Sequence, residues 1–309
     1  MQEVRICFNK VKKDCIKFIK SQETSTEKFK GKEKMIRSFL IPICFWIAKK
    51  VKSKKPYFIG LAGGQGTGKT TISSIIKIIL TKYFKLKVFK ISVDDFYKTR
   101  KDRVLLSKKV HPMLLTRGVP GTHDINVILS FFKNIKSKKF RSLKVPCFNK
   151  AVDDRYSKKY WYNIKERPDI IIFEGWCVGA RSEKNISLKK SINLMEKIDD
   201  QKFIWRKFVN QQLKSKYKNL YSQLNCLIYL KANNFNLLQK WRLKQEHKLW
   251  LKSKKTSKHK IMGKEDVINF MQTYQRITEN MFRMMPKYAS IVMNLNSDHQ
   301  IKSTLYKRK

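Results

Sequence analysis

The stretch YFIGLAGGQGTGKTTISSIIKIIL, residues 57–80, decides the fold. Tyr57–Ala62 is a short apolar run that stops at glycines, which reads as a buried parallel strand. Beyond the glycines, Ile72, Ile75, Ile76, Ile79 and Leu80 recur at helical spacing. Between strand and helix lies GGQGTGKT, Gly63 to Thr70, which fits G-x-x-x-x-G-K-[ST] in the context that pattern requires. Glycines let the main chain turn its N–H groups inward around an anion. A helix starting near Lys69 adds its positive end. The candidate nucleotide-binding residues are therefore Gly63, Gly64, Gln65, Gly66, Thr67, Gly68, Lys69, Thr70 and Thr71. Lys69 is placed to reach the β- and γ-phosphates of a nucleotide, and the Thr70 hydroxyl to ligate Mg²⁺. Such a loop serves GTPases, motors and kinases alike, so the reaction must be read elsewhere.

Outward from this loop, strand-like runs recur at Leu86–Ser92, Asp169–Gly175, Cys226–Ala232 and Ser290–Asn296. Helical patterns separate most of them. One begins near Glu265 and puts Val267, Phe270, Met271, Tyr274, Ile277 and Met281 on one face. Strands alternating with helices predict a parallel sheet covered on both sides, a three-layer α/β nucleotide-binding domain over residues 56–309. Residues 1–55 read as lysine-rich helices closed by the linker KKVKSKKP.

Composition narrows the setting. The chain has 309 residues, enough for a full core, and 42% of them are hydrophobic, which excludes a disordered chain. Lys plus Arg number 70 against 23 Asp plus Glu, a net charge of +47. That balance suits a nucleic-acid partner, yet the lysines are spread through every segment and no DNA- or RNA-binding motif accompanies them. We therefore expect no specific nucleic-acid partner. The densest cluster, Lys252 to Lys260, reads as a solvated loop. Six scattered cysteines without a CxxC pair suit a reducing cytoplasm and argue against a zinc site. The apolar run Phe39–Ala48 is too short to span a bilayer and contains Pro42. A soluble, cytoplasmic chain without a membrane partner is the expectation.

Carboxylates choose the reaction. The second strand ends in SVDDFYK, and strand ends carry the active groups of open parallel sheets. Asp94 is the candidate to accept a substrate hydroxyl proton beside the metal. Asp94 is also a candidate metal ligand, Asp95 and Tyr97 are candidate substrate-binding residues, and Asp95 reads as a helix cap as well. The third strand ends in IIIFEGW, which puts Glu174 where a carboxylate supports the Mg²⁺ shell. No guanine-reading NKxD segment occurs, which argues against a GTPase.

Two further segments suit a small polyhydroxy acid. HPMLLTRGVPGTHD, residues 111–124, offers Arg117 for a two-pronged bond to a carboxylate, with His123 nearby. FNKAVDDRY, residues 148–156, offers Lys150, Asp154 and Arg155. After the fourth strand, NLLQKWRLKQEHKLW contains Arg242, the candidate to stabilise charge on a transferring phosphoryl group.

In this order, GLAGGQGTGKTT, SVDDFY, HPMLLTRGVPGTHD, VPCFNKAVDDR, FEGWCVGA, WRLKQEHKL and FMQTYQRITE resemble the glycerate kinase family of P-loop kinases. The resemblance runs from about Pro56 onward. More distantly, the chain is similar to uridine kinase, pantothenate kinase and phosphoribulokinase. The resemblance implies a P-loop NTPase fold with five parallel strands in the order 2-3-1-4-5. It also implies transfer of the γ-phosphoryl group of ATP, with Mg²⁺, to a hydroxyl of D-glycerate, giving 3-phosphoglycerate and ADP. Lys69 and Thr70 then serve nucleotide and metal, Asp94 is the base, and Glu174 supports the metal. Arg117, His123, Lys150 and Arg155 are the candidates to hold the acid. Gly64 stands where the family loop carries proline. Two readings remain beside this one: a kinase for uridine or pantothenate, and a nucleic-acid-binding P-loop ATPase.

Overall fold

The computed structural model describes residues 2–24, 28–52, 55–253 and 262–307. Six strands form one sheet: β1 Tyr57–Gly63, β2 Val88–Ser92, β3 Ile170–Gly175, β4 Cys226–Lys231, β5 Ile291–Leu295 and β6 Ile301–Tyr306. They lie in the order β6-β5-β4-β1-β3-β2. The five strands β1 to β5 pair in parallel, while β6 returns antiparallel to β5. The expectation of a five-stranded sheet is thus corrected to six. IKSTLY lacks the apolar run that marks the interior strands, and only its first residue is buried. It pairs through a short hairpin, which needs main-chain hydrogen bonds rather than a buried face.

The helices used below are α1 Gln2–Ser21, α2 Ile41–Ala48, α3 Lys69–Lys82, α4 Arg100–Lys109, α5 Ile125–Lys136, α6 Ile204–Gln212, α7 Phe235–Ser253 and α8 Lys264–Met284. Among the described residues no helix is long and apolar enough to cross a membrane. Residues 254–260 of the lysine cluster, and 53–54 of the expected linker, lie outside the described residues.

All six residues of β3 are buried, as a strand covered on both faces requires. Successive side chains point to opposite faces, and the two cores divide accordingly. Phe58, Ile171, Phe173 and Tyr229 join α5 (Phe131, Phe132) and α8 (Tyr274, Ile277, Met281) on one face. Ile59, Leu61, Ile172 and Ile228 join α3 (Ile75, Ile76, Ile79) on the other. The apolar stripes of α1 (Val11, Cys15, Ile19) and α2 (Cys44, Ile47) belong to that second core, together with Leu40. The lysine-rich start of the chain is therefore packed onto α3 and shares its core.

Register places the site. Glu174 of β3 pairs with Leu61 of β1 on one side and Ser92 of β2 on the other. The carboxyl ends of these three strands consequently open at one edge, beside the N-terminus of α3. Leu40 is fully buried where the N-terminal helices meet α3. Leu40→Ala should lower unfolding free energy by about 2–5 kcal/mol. Urea unfolding followed by circular dichroism should show this loss in one transition, because the N-terminal helices and α3 share a core; a separate early transition would contradict that.

Candidate active site

The phosphate loop follows from its glycines. Gly66 (φ 77°) and Gly68 (φ 83°) adopt left-handed backbone that β-carbon-bearing residues avoid. At Gly66 a β-carbon would also lie 2.8 Å from Trp241 Cβ of α7. Gly63 ends β1, and Lys69, Thr70 and Thr71 form the first turn of α3. The Thr67 hydroxyl donates to the Gly64 carbonyl at 2.8 Å, and Lys69 Nζ donates to the same oxygen at 2.9 Å. Burial pulls the Lys69 pKa below its ordinary value, opposed by Glu174 and Asp94. The Gln65 side-chain oxygen is buried without a partner among the described residues.

The Thr70 hydroxyl donates to Glu174 Oε1 at 3.1 Å. A hydroxyl and a carboxylate oxygen side by side at a helix N-terminus form the donor set that a hard divalent cation takes when phosphates and waters complete its shell. Among the described residues no three His, Cys, Asp or Glu side chains gather into a closed metal cage.

Asp94 and Asp95 sit in one turn of 3₁₀-helix, Val93–Phe96, directly after β2. The Asp94 N–H donates to Ser92 Oγ, and the Ser92 N–H donates to Asp95 Oδ2, both at 3.2 Å. This capping box turns the two carboxylates to different tasks. Asp95 faces inward, where the Phe148 N–H also donates to it at 3.5 Å, and burial pushes its pKa up to about 6. Asp94 instead accepts from Tyr97 Oη at 2.9 Å and from Lys150 Nζ at 2.8 Å. Burial alone would raise the Asp94 pKa, but the Lys150 charge and hydrogen bond, with Tyr97, hold it below the usual carboxylate range.

Around Asp94 the other sequence-derived candidates fall into two groups. His123 stacks on Tyr97 (centroids 4.5 Å apart), and burial lowers its pKa to about 4, so the ring is neutral at physiological pH. Its Nδ1 lies 2.6 Å from Tyr217 Oη, which also accepts from the Gly121 N–H at 3.0 Å; Nε2 is buried without a partner among the described residues. Arg117, Lys150, Asp154 and Arg155 are brought to the same side by a small hairpin, Phe148–Asn149 paired with Asp154–Arg155. Each is already engaged. Arg117 pairs with Asp153, and Arg155 donates to the Tyr97 carbonyl at 2.7 Å and to Asp124 at 3.1 Å. Asp154 accepts from the Arg100 and Arg155 N–H groups. Arg242 lies on α7 beside the phosphate loop, ion-paired to Glu246, with its Nε buried and unpartnered among the described residues.

No family model matches the chain. The uncharacterized kinase mug58 of Schizosaccharomyces pombe is 30% identical to it over 256 residues, 79% of this chain and 83% of that protein. The chloroplastic D-glycerate 3-kinase of Arabidopsis thaliana is 26% identical over 226 residues, 67% of this chain and 47% of that protein. The chain belongs to the glycerate kinase family of P-loop kinases. Its fold is similar to that of the D-glycerate 3-kinase of Cryptococcus neoformans, with a TM-score of 0.71, 23% identity, and coverage of 87% of this chain and 97% of that one.

Several residues that shape the site of this P-loop kinase escaped sequence reasoning. Asp153, in left-handed backbone (φ 56°), is the carboxylate on which Arg100, Arg103 and Arg117 converge. Arg103 is fully buried and donates to the carbonyls of Lys98, Leu115 and Asp153. Nothing in RKDRVLLSKK marks it, since the same helix looks solvent-facing throughout. His299, at the turn between β5 and β6, stacks on Trp241 at 3.8 Å and meets the Gly66 carbonyl through Nε2. That contact joins residues 233 positions apart. Tyr274 was visible only as one member of the α8 stripe.

Asp95 yields a test of this geometry. Its folded pKa of about 6 exceeds its ordinary 3.8, so the folded state binds the proton more tightly. The stability it contributes is present at low pH and is lost as pH rises through that window, by at most about 3 kcal/mol. Asp95→Asn keeps an acceptor for the Ser92 N–H but cannot ionise. Urea unfolding between about pH 4 and 7 should therefore give a flatter stability curve for the variant; parallel curves would show that Asp95 is not held in this environment.

Proposed function

We propose that this kinase transfers the γ-phosphoryl group of ATP to the 3-hydroxyl of D-glycerate, giving 3-phosphoglycerate and ADP. The observation that carries this reading is the convergence of Lys69, Thr70 and Glu174 with an ionised Asp94, at one edge of the sheet and beside a hairpin rich in paired cations. Relatives named as D-glycerate 3-kinases support the choice of acceptor.

The loop amides and Lys69 grip the β- and γ-phosphates, Lys69 exchanging the Gly64 carbonyl for phosphate oxygen. Thr70 and Glu174 hold Mg²⁺, which when bound neutralises charge on the phosphates. Asp94 accepts the proton of the attacking hydroxyl, and Tyr97 keeps its carboxylate oriented. A carboxylate held below its ordinary pKa is a weak base, but phosphoryl transfer through a loose transition state asks for little proton removal before the bond forms. Lys150 is held to Asp94 by a side chain that is 64% exposed, so it can leave for the substrate carboxylate when the hydroxyl arrives. Arg117 and His123 line the same acceptor site, and Arg242 faces charge developing on the transferred group. Asp154 and Arg155 act by holding the hairpin and Tyr97 in place.

NMR of products formed from MgATP and D-glycerate should show 3-phosphoglycerate. Turnover of uridine or pantothenate with none of D-glycerate would overturn this reading, as would ATP hydrolysis stimulated only by DNA. Asp94→Asn should retain MgATP binding and reduce kcat by about 10²–10⁴-fold. Near-normal turnover in that variant would remove Asp94 from the mechanism.

A further inference from the structure

Tyr274 lies on the buried face of α8, 5% exposed, with the Trp176 ring edge-on at 4.8 Å. The helix is anchored two residues further on. There the Arg276 guanidinium donates to both oxygens of the fully buried Glu196, at 2.7 and 2.6 Å. The Tyr274 hydroxyl packs against Gly118 (φ 141°), a position where any side chain would collide with it. Gly118 itself is pinned, because the Trp176 indole N–H donates to its carbonyl at 2.8 Å. The hydroxyl is thus held in place by rigid neighbours. Among the described residues it makes no hydrogen bond, and its oxygen is not one of the fully buried unpartnered atoms, so it stays reachable.

Its surroundings say what it awaits. Burial raises the pKa of the phenol, Asp94 adds to this and Arg117 and Arg242 oppose it, so it stays a protonated donor, and Gly118, against which it packs, directly follows Arg117 in the chain. Of the cations near the hairpin, Arg117 and Arg155 already have carboxylate partners in Asp153 and Asp124, and only the exposed Lys150 can leave Asp94 for the acceptor. The reacting hydroxyl of an acceptor must face Asp94, to which it gives its proton. A neutral donor beside Arg117 is instead matched to an oxygen that only accepts.

We propose that the Tyr274 hydroxyl donates a hydrogen bond to the carboxylate of the acceptor, beside Arg117, and so selects hydroxy acids over neutral polyols. This rests on the hydroxy-acid reading above. Tyr274→Phe keeps the ring and its packing while removing the donor. In the full-length chain it should raise KM for D-glycerate about 10- to 100-fold. It should raise by a similar factor the inhibition constant of D-lactate, which keeps the carboxylate but lacks the 3-hydroxyl, while the Kd of MgATP moves less than twofold. An unchanged KM, or equal weakening of MgATP and glycerate, would overturn the assignment. Should the wild-type chain phosphorylate pantothenate and no glycerate, the function proposed above fails; pantothenate also bears a carboxylate, so the same KM ratio still decides the role of Tyr274. Turnover of uridine alone, which has no carboxylate, would overturn both.

Discussion

The site depends on the parallel register that sets Glu174 between Leu61 and Ser92. Main-chain pairing of β2, β3 and β1 leaves their carboxyl ends level, so three chain segments far apart in sequence deliver their polar residues to one edge. The helix that starts at Lys69 adds its unpaired N–H groups there. A shift of one residue in β3 would turn Glu174 to the other face of the sheet and separate it from Thr70. Burial on both faces protects the register, because Ile170, Ile171, Ile172 and Phe173 each have an apolar place to fill.

Charge is balanced within the site rather than left for a ligand to neutralise. A buried ionised carboxylate is costly unless paired, and Asp94 is tolerated because Lys150 and Tyr97 meet it from the hairpin and the adjoining turn. The hairpin is in turn held by Arg103, whose guanidinium is spent on three carbonyls and on Asp153. A similar arrangement, built on Arg206, Arg276, Glu196 and Asp200, fixes α6 and α8. These buried pairs do little for net stability by comparison with apolar packing; their effect is to hold loops and helices in one arrangement around the acceptor site.

Much was legible in the sequence because it depends on local rules. Glycines at 66 and 68, a lysine and threonine opening an isoleucine stripe, and acids closing apolar runs each report on neighbours a few positions away. That locality is why the phosphate loop, strands β1 to β5 and the placement of Asp94 and Glu174 at strand ends followed from the residues, and why Asp95 read as a cap. The edge strand β6 did not follow, since its pairing is satisfied by main-chain hydrogen bonds that impose no apolar pattern.

Partnership between distant segments was decided only in three dimensions. The sequence by itself determined a phosphate-gripping strand–loop–helix and the acidic residues at the ends of the neighbouring strands. The tertiary structure alone decided that Arg117 is taken by Asp153, that His299 reaches Gly66, and that the Tyr274 hydroxyl stands against Gly118 without a hydrogen bond among the described residues. The physical reason is that side-chain type states what a group can bond to, while packing decides which of its possible partners comes within reach.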